Sequence, residues 1–376
     1  MEKSELQQRI RGALFLAPLT KGGNLPFRRL CVENGADITV SEMVYSRQLV
    51  KGQRRERALL RRHPSEKCFG VQIAVRKPED AIRAGEIVQA SGADFLDINC
   101  GCPIDGVTKK GLGASLLQKP KGLSELVSRL VQSLQIPVTV KIRTGWKTGK
   151  ENFLEIAQRV QDAGAAALAI HGRTKEQRYS KAADWEAIQQ VVESLEIPVV
   201  GNGDILTPGE AQYHREFHGV TSLMLARGAL IKPWLFTEIR EGKCFDLTPE
   251  RRIEHYFRFV TYLKEHFYDD ELGRKRIMGF LPWHFSFFAR YRFFHDTPFE
   301  GGHPLIHDRL GNEEWTSPLD RLLRSGDPHH HEQIASCLVQ SENQLEATQM
   351  LSDLSFSVTY PEAALSPEWG SGVVAG

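Results

Sequence analysis

Residues 95–103 read Phe95-Leu96-Asp97-Ile98-Asn99-Cys100-Gly101-Cys102-Pro103. The run to Ile98 has the character of a buried strand, and Gly101 and Pro103 turn the chain directly after it. A thiol is thereby placed on a tight turn at a strand end, which is where barrel enzymes do their chemistry. Polar residues recur at later strand ends: Lys141 and Arg143, His171 and Arg173, Asn202 and Asp204, then Arg227. Five strand ends aim at one place.

Outward from that stretch, short apolar β-branched runs alternate with amphipathic stretches of helical length between residues 13 and 228. This is the rhythm of repeated βα units. Eight strands are expected, at residues 13–17, 38–41, 70–73, 95–99, 138–142, 167–171, 199–201 and 222–226. They fit a closed (β/α)8 TIM barrel of the α/β class. An open doubly wound sheet would show a glycine fingerprint after its first strand, and here that strand ends in Ala17-Pro18-Leu19-Thr20.

The rhythm stops after Lys243. Thr248 followed by Pro249 reads as an N-cap and first helical residue, and Ile253, Tyr256, Phe257, Val260, Leu263 and Phe267 continue at helical spacing. A second helix is expected over residues 274–294. The organisation expected is therefore a barrel at 1–243, a small C-terminal helical domain at 244–351 and a weakly ordered tail at 352–376.

Lys and Arg number 48 against 47 Asp and Glu, so net charge does not announce a polyanion partner and local clusters must carry that argument. Six cysteines are scattered through the chain and the N-terminus lacks a signal-peptide core, which points to a reducing compartment. No apolar run reaches membrane-spanning length. A soluble intracellular protein, with no membrane partner, is expected.

A lone cysteine is more often a small buried hydrophobe than a reactive group. Cys102 lies on the turn and is the candidate for function, whereas Cys100 is the candidate for the core. The spacing of the two thiols, with no second pair, does not suit zinc, and no metal is expected. An ordinary thiol is protonated at neutral pH and serves as a general acid, whereas as a nucleophile it needs its pKa lowered, by Lys141 or by His171.

Lys141 interrupts an apolar strand with a charge, which is costly unless it meets an anion or an electron-rich ring. His171 and Arg173 close the next strand in the same way. Gly201-Asn202-Gly203-Asp204 and Ala226-Arg227-Gly228 put small residues where barrels bind phosphate, although tight turns also need glycine. Basic residues gather at Lys51, Arg54, Arg55, Arg57, Arg61 and Arg62, and again at Arg274, Lys275, Arg276, Arg290 and Arg292. Phe285, Phe287, Phe288, Tyr291 and Phe293 interleave the last group, as either a nucleic-acid surface or core residues.

Taken in order, Ala17-Pro18-Leu19-Thr20, Gly70-Val71-Gln72-Ile73-Ala74, residues 97–103, Val140-Lys141-Ile142-Arg143, His171-Gly172-Arg173-Thr174, Gly201-Asn202-Gly203-Asp204 and Ala226-Arg227-Gly228 resemble the motifs of tRNA-dihydrouridine synthases. Residues 105–114 and 274–292 most resemble the eukaryotic subfamily acting on variable-loop uridine 47. The resemblance implies an FMN-binding barrel, NADPH as reductant, a helical domain that docks tRNA, and hydride transfer to uracil C6 with protonation of C5 by Cys102.

It further implies Pro18, Leu19 and Thr20 against the flavin ring, Gln72 on its pyrimidine edge, and Lys141 and His171 beside it. Asn202, Gly203 and Asp204 with Ala226 and Arg227 would hold the ribityl chain and phosphate, and Asn99, Arg143 and Arg173 would meet the substrate uracil or RNA. Messenger RNA is a further candidate substrate, the expected protein is a monomer, and its compartment is the cytoplasm or nucleus. Animal members of the subfamily carry zinc fingers before the barrel, which here begins almost at Met1. The alternatives are a dihydroorotate-dehydrogenase-like FMN barrel acting on a free small molecule and a non-catalytic RNA-binding protein.

Overall fold

In the computed structural model, which describes residues 1–294 and 314–360, nine strands form one parallel sheet. They are β1 (Leu14–Leu16), β2 (Ile38–Val40), β3 (Val44–Tyr45), β4 (Phe69–Ala74), β5 (Phe95–Cys100), β6 (Val138–Arg143), β7 (Ala167–His171), β8 (Val199–Asn202) and β9 (Ser222–Leu225). The order is β2-β1-β9-β8-β7-β6-β5-β4-β3, and pairing of β2 with β4 closes eight strands into a barrel. The ninth, β3, was not foreseen. It runs along β4 beyond the end of β2, with Val44 opposite Ile73 and Tyr45 opposite Ala74.

Alternation of side chains along each strand separates two apolar layers. Phe15, Ile38, Val40, Phe95, Ala167, Ala169, Val200 and Met224 fill the barrel interior, while Leu96, Ile98, Cys100, Val138, Val140, Ile142, Leu168 and Ile170 face the surrounding helices. The same parity turns Asn99, Lys141, Arg143, His171 and Asn202 inward at the far ends of their strands. In register, Asn99 lies beside Lys141, Arg143 beside His171, and His171 beside Asn202.

The near end is plugged by the Lys3–Ile10 helix, whose Leu6 and Ile10 join the interior cluster. Ser222 Oγ donates to Ile10 O at 2.6 Å and Gln7 Nε2 to Ala166 O at 3.1 Å, fixing that plug. Access is left to the opposite mouth, where the strand-end residues gather. Outside, the Pro120–Ser133 helix shows why the covering helices form, burying Leu123, Leu126, Val127 and Leu130 on one stripe.

Beyond the barrel, Thr248 caps the Pro249–Phe267 helix, accepting from the Arg251 amide at 3.4 Å. The helix expected over 274–294 is instead two, Glu271–Met278 and Leu281–Phe288. Pro282 explains the break, because it offers no N–H to the preceding turn and its ring collides with the carbonyl four residues back. Phe285, Phe287, Phe288 and Tyr291 are all buried, so they are core and not a stacking surface for bases. The Gln344–Ser357 helix runs past residue 352, where the tail was expected to start; residues 361–376 lie outside the described residues, as do 295–313. Helices on both sides of residue 243 share one apolar core, with the Phe27 and Phe259 rings 5.6 Å apart and edge-on. Among the described residues no helix is long and apolar enough to cross a membrane, and no group of three or more His, Cys, Asp or Glu is placed to hold a metal ion.

Candidate active site

Cys102 is half-buried and Cys100 fully buried, the latter among the outer core residues. The turn that carries Cys102 is pinned from three sides. Asn99 Oδ1 accepts from the Cys102 amide at 2.9 Å and the Gly101 amide at 3.2 Å, Arg143 Nε donates to Gly101 O at 2.8 Å, and the Ala114 amide donates to Cys102 O at 3.1 Å. Gly113 allows that last contact: its φ is +60°, and a Cβ there would stand 2.8 Å from Cys102 O. Burial raises the thiol pKa, opposed by the Ile104 backbone amide and the charges of Arg143 and Lys141. The thiol is therefore protonated at neutral pH.

A polar ladder crosses the barrel beneath it. Gln72 Nε2 donates to Asp97 Oδ2 at 2.7 Å, Asn99 Nδ2 to Gln72 Oε1 at 2.6 Å, and Thr139 Oγ1 to Asp97 Oδ1 at 2.6 Å. Burial raises the Asp97 pKa against the hydrogen bonds of Thr139 and Gln72 and the charge of Lys141. Gln72 keeps one amide hydrogen for a further acceptor.

Lys141 Nζ donates to Asn202 Oδ1 at 3.0 Å, and Asn202 Nδ2 in turn donates to Met224 O at 2.8 Å. Burial, then the neighbouring Arg143, pushes the Lys141 pKa down to about 8. Arg143 donates to the Thr174 and Arg178 carbonyls as well as to Gly101, and burial lowers its pKa to about 10. Arg173 is fully buried, pairs with Asp204, and donates through Nη1 to His171 Nε2 at 3.1 Å. A guanidinium has only donors, so His171 Nε2 accepts and the ring hydrogen is on Nδ1. Burial and then the charges of Arg143, Lys141, Arg173 and Arg227 hold the His171 pKa well below its usual value.

Arg227 Nη2 reaches Asp204 Oδ1 at 2.8 Å. Burial alone would raise the Asp204 pKa, yet Arg173 and Arg227 hold it below the usual carboxylate range. Pro18, Leu19 and Thr20 are half-buried on the loop after β1; Gly203 follows β8, and Ala226 opens the short Arg227–Ile231 helix. The structure thus brings all the expected residues to one mouth. It also gives Asn99, Arg143 and Arg173 protein partners: Asn99 and Arg143 hold the Cys102 turn, and Arg173 donates to His171.

Two residues were missed. The Tyr179 ring lies 4.3, 5.8 and 6.0 Å from the guanidinium carbons of Arg227, Arg143 and Arg173. Tyr45, on the unforeseen β3, has Lys110 Nζ 5.7 Å above its ring, and burial and then the proximity of Cys102 raise its pKa. A lone aromatic in an otherwise polar loop was the only signal for Tyr179. In the first basic cluster Lys51, Arg54, Arg55, Arg57 and Arg61 are exposed, while Glu56 turns inward and accepts from the Tyr45 amide at 2.7 Å. In the second, Arg274, Lys275 and Arg276 are exposed, Arg274 pairing with Asp269 at 2.7 Å, and Arg290 is buried.

The barrel thus gathers a protonated thiol and the cationic side chains of Lys141, Arg143, Arg173 and Arg227 at one mouth. Residues 15–300 match the family model for dihydrouridine synthase (Dus), and the chain belongs to that family. It is 44% identical over 297 residues to a Cryptococcus neoformans tRNA-dihydrouridine(47) synthase (NAD(P)+), covering 74% of this chain and 41% of that protein. A human tRNA-dihydrouridine(47) synthase-like protein is 43% identical over 292 residues, covering 77% of this chain and 44% of its own length. The chain therefore spans less than half the length of these relatives. Among solved structures, a 2-naphthoyl-CoA reductase bound to 2-naphthoyl-CoA shares the fold, with a TM-score of 0.50 at 12% identity over 61% of this chain and 50% of that one.

Proposed function

We propose that this chain reduces the C5–C6 bond of uridine in tRNA, at variable-loop position 47, with FMN as bound cofactor and NADPH as reductant. The observation that carries this reading is the protonated Cys102 thiol, held at the barrel mouth beside Lys141 and Arg143. The residues present suit FMN: Lys141, Arg143, Arg173 and Arg227 bring four cationic side chains to the mouth, beside the carboxyl groups of Asp97 and Asp204, and cations there suit a phosphate. Gln72 and the His171 Nδ1–H supply donors for a pyrimidine edge, and the backbone of Pro18, Leu19 and Thr20 a surface for the ring. Asn202, Gly203, Asp204, Ala226 and Arg227 would hold the ribityl chain and phosphate.

When bound, FMN supplies the hydride that reaches uracil C6. Cys102 holds the proton for C5, and once it has given that proton its thiolate lies in the field of Lys141 and Arg143. Asn99 and Arg143 keep the Cys102 turn rigid, so the sulfur does not have to be repositioned during the reaction. A ring at this depth must leave its RNA stack first, and the exposed Lys51, Arg54, Arg55, Arg57 and Arg61 offer phosphate contacts for the RNA that delivers it. The reading places the protein as a monomer in the cytoplasm or nucleus.

The test is mass-spectrometric quantitation of dihydrouridine in unmodified tRNA after incubation with the protein, FMN and NADPH. Product in the variable loop is expected, and Cys102→Ala should lower its rate at least about a hundredfold, the contribution of a general acid. Flavin reduction without product in the wild type would overturn the assignment.

A further inference from the structure

The loop after β1 is strained and heavily braced. Lys21 adopts φ +63°, a conformation that a residue with a Cβ keeps only when its surroundings impose it. Its amide donates to Glu42 Oε2 at 2.8 Å, and the Gly23 amide donates to Leu19 O at 2.6 Å. Asn24 Oδ1 caps the next helix by accepting from the Phe27 amide at 3.0 Å, which fixes the orientation of its side-chain amide. Asn24 Nδ2 is then the donor, to Lys21 O at 2.7 Å and to His284 Nε2 at 3.1 Å. The second contact comes from a residue 260 positions further along the chain.

His284 is fully buried, its ring centroid 4.9 Å from that of Phe27 and 4.6 Å from that of Phe259. A phenylalanine would fill that apolar slot without leaving Nδ1, which is buried and unpartnered here. The nitrogen that does find a partner is the one facing Asn24. Burial, opposed by a hydrogen bond with the Lys21 backbone, pushes the ring pKa down to about 3, so the ring is neutral at physiological pH, and facing the Asn24 amide its Nε2 is the acceptor. The preceding residue presses on the same loop: a Cβ on Gly22 would lie 3.2 Å from Trp283 Cη2 and 2.9 Å from Leu230 Cδ2.

We infer that the Leu281–Phe288 helix is a working part of the cofactor site, because His284 and Trp283 hold the Leu19–Asn24 loop in the strained form that presents Pro18, Leu19 and Thr20 to the flavin. The inference rests on the reading of those three residues as flavin contacts. His284 is a positioning residue: it acts through Asn24 and the Lys21 backbone. The helices after the barrel thereby set flavin affinity, apart from any contact they make with RNA.

The experiment uses the full chain with His284→Phe, which keeps an aromatic ring in the slot, and His284→Gln, whose Oε1 restores an acceptor near the Nε2 position. Asn24→Ser, which keeps a helix cap but loses the donating amide, is a second route to the same contact. Amide hydrogen exchange of residues 19–24 is measured in the flavin-free protein, and the Kd for FMN by fluorescence titration. His284→Phe and Asn24→Ser should speed exchange selectively in that loop and raise the Kd about fivefold, the equilibrium factor of one neutral hydrogen bond. His284→Gln should recover most of both.

Unchanged loop exchange and unchanged Kd in His284→Phe would overturn the inference. So would equal defects in the Phe and Gln variants, or faster exchange spread evenly over the chain, either of which assigns His284 to packing alone. If the wild type binds no FMN, the cofactor reading fails by itself, and the exchange measurement still decides whether the helix clamps the loop.

Discussion

Arg173 has only donors to offer, and that decides the state of His171. With Nε2 accepting from Arg173 and four cations around the ring, His171 is a neutral Nδ1–H donor and not a proton carrier. Its ring 15N shifts should show that tautomer and no titration between about pH 5 and 8, the range in which an unperturbed histidine changes charge; a titration near the usual value would show that the cations are screened. Lys141 behaves oppositely. Its pKa is pushed down to about 8, so its charge is present below that pH and lost as pH rises through it, while the Cys102 thiol, raised by burial, stays protonated there. The single-turnover rate of uridine reduction should therefore fall on the alkaline side with a midpoint near the Lys141 pKa, and Lys141→Met should be slower and lose that limb of the profile. The meeting of these residues at one mouth was legible because Lys141 and His171 each put a polar group at the end of an apolar strand and Cys102 follows such a strand on its turn. The Arg173–Asp204 pair was not, because sequence shows a charge but not the charge that meets it 31 residues later.

At the scale of elements, β5 and the segment returning to it at Gly113 set the position of the sulfur. Gly113→Ala would place a Cβ 2.8 Å from Cys102 O in a backbone region that alanine disfavours by about 1–2 kcal/mol. The turn must then shift, and a displacement near 1 Å at a reacting group costs on the order of a hundredfold in rate. The expected result is a folded protein with a slightly lower Tm and a large loss in the rate of product formation; full activity would mean that the turn tolerates movement. Strand rhythm was readable because period-two burial and βα spacing are local properties of the chain. The aromatic stretch 285–291 stayed open between surface and core for the opposite reason. Apolar residues on every side of a helix mean burial on every side, and only the fold shows that the Pro249–Phe267 helix covers one face, with Tyr256 stacked 4.5 Å from Phe288.

Over the whole molecule, the helices after the barrel are joined by ion pairs as well as by apolar surface, and this makes their cohesion sensitive to acid. Asp320 is buried, accepts from Arg252 on the Pro249–Phe267 helix, and lies 3.2 Å from Arg324 Nη1 and 3.1 Å from the Thr316 amide. Burial alone would raise its pKa, but Arg252, Thr316 and Arg324 outweigh that and hold it below the usual carboxylate range. Because the folded value is the lower one, this contribution to stability is present above the unfolded pKa of about 3.9 and is lost as pH falls through the folded value. Asp320→Asn keeps the shape of the side chain but takes the counter-ion from the buried Arg252 guanidinium, and should cost about 3–5 kcal/mol in denaturant unfolding at neutral pH. Adding Arg252→Met removes that charge along with its unpartnered Nε and Nη1 atoms, and should recover a large part of the loss. A cost below about 1 kcal/mol for Asp320→Asn would place the pair in the range of solvent-screened surface bridges and leave the joint to its apolar contacts.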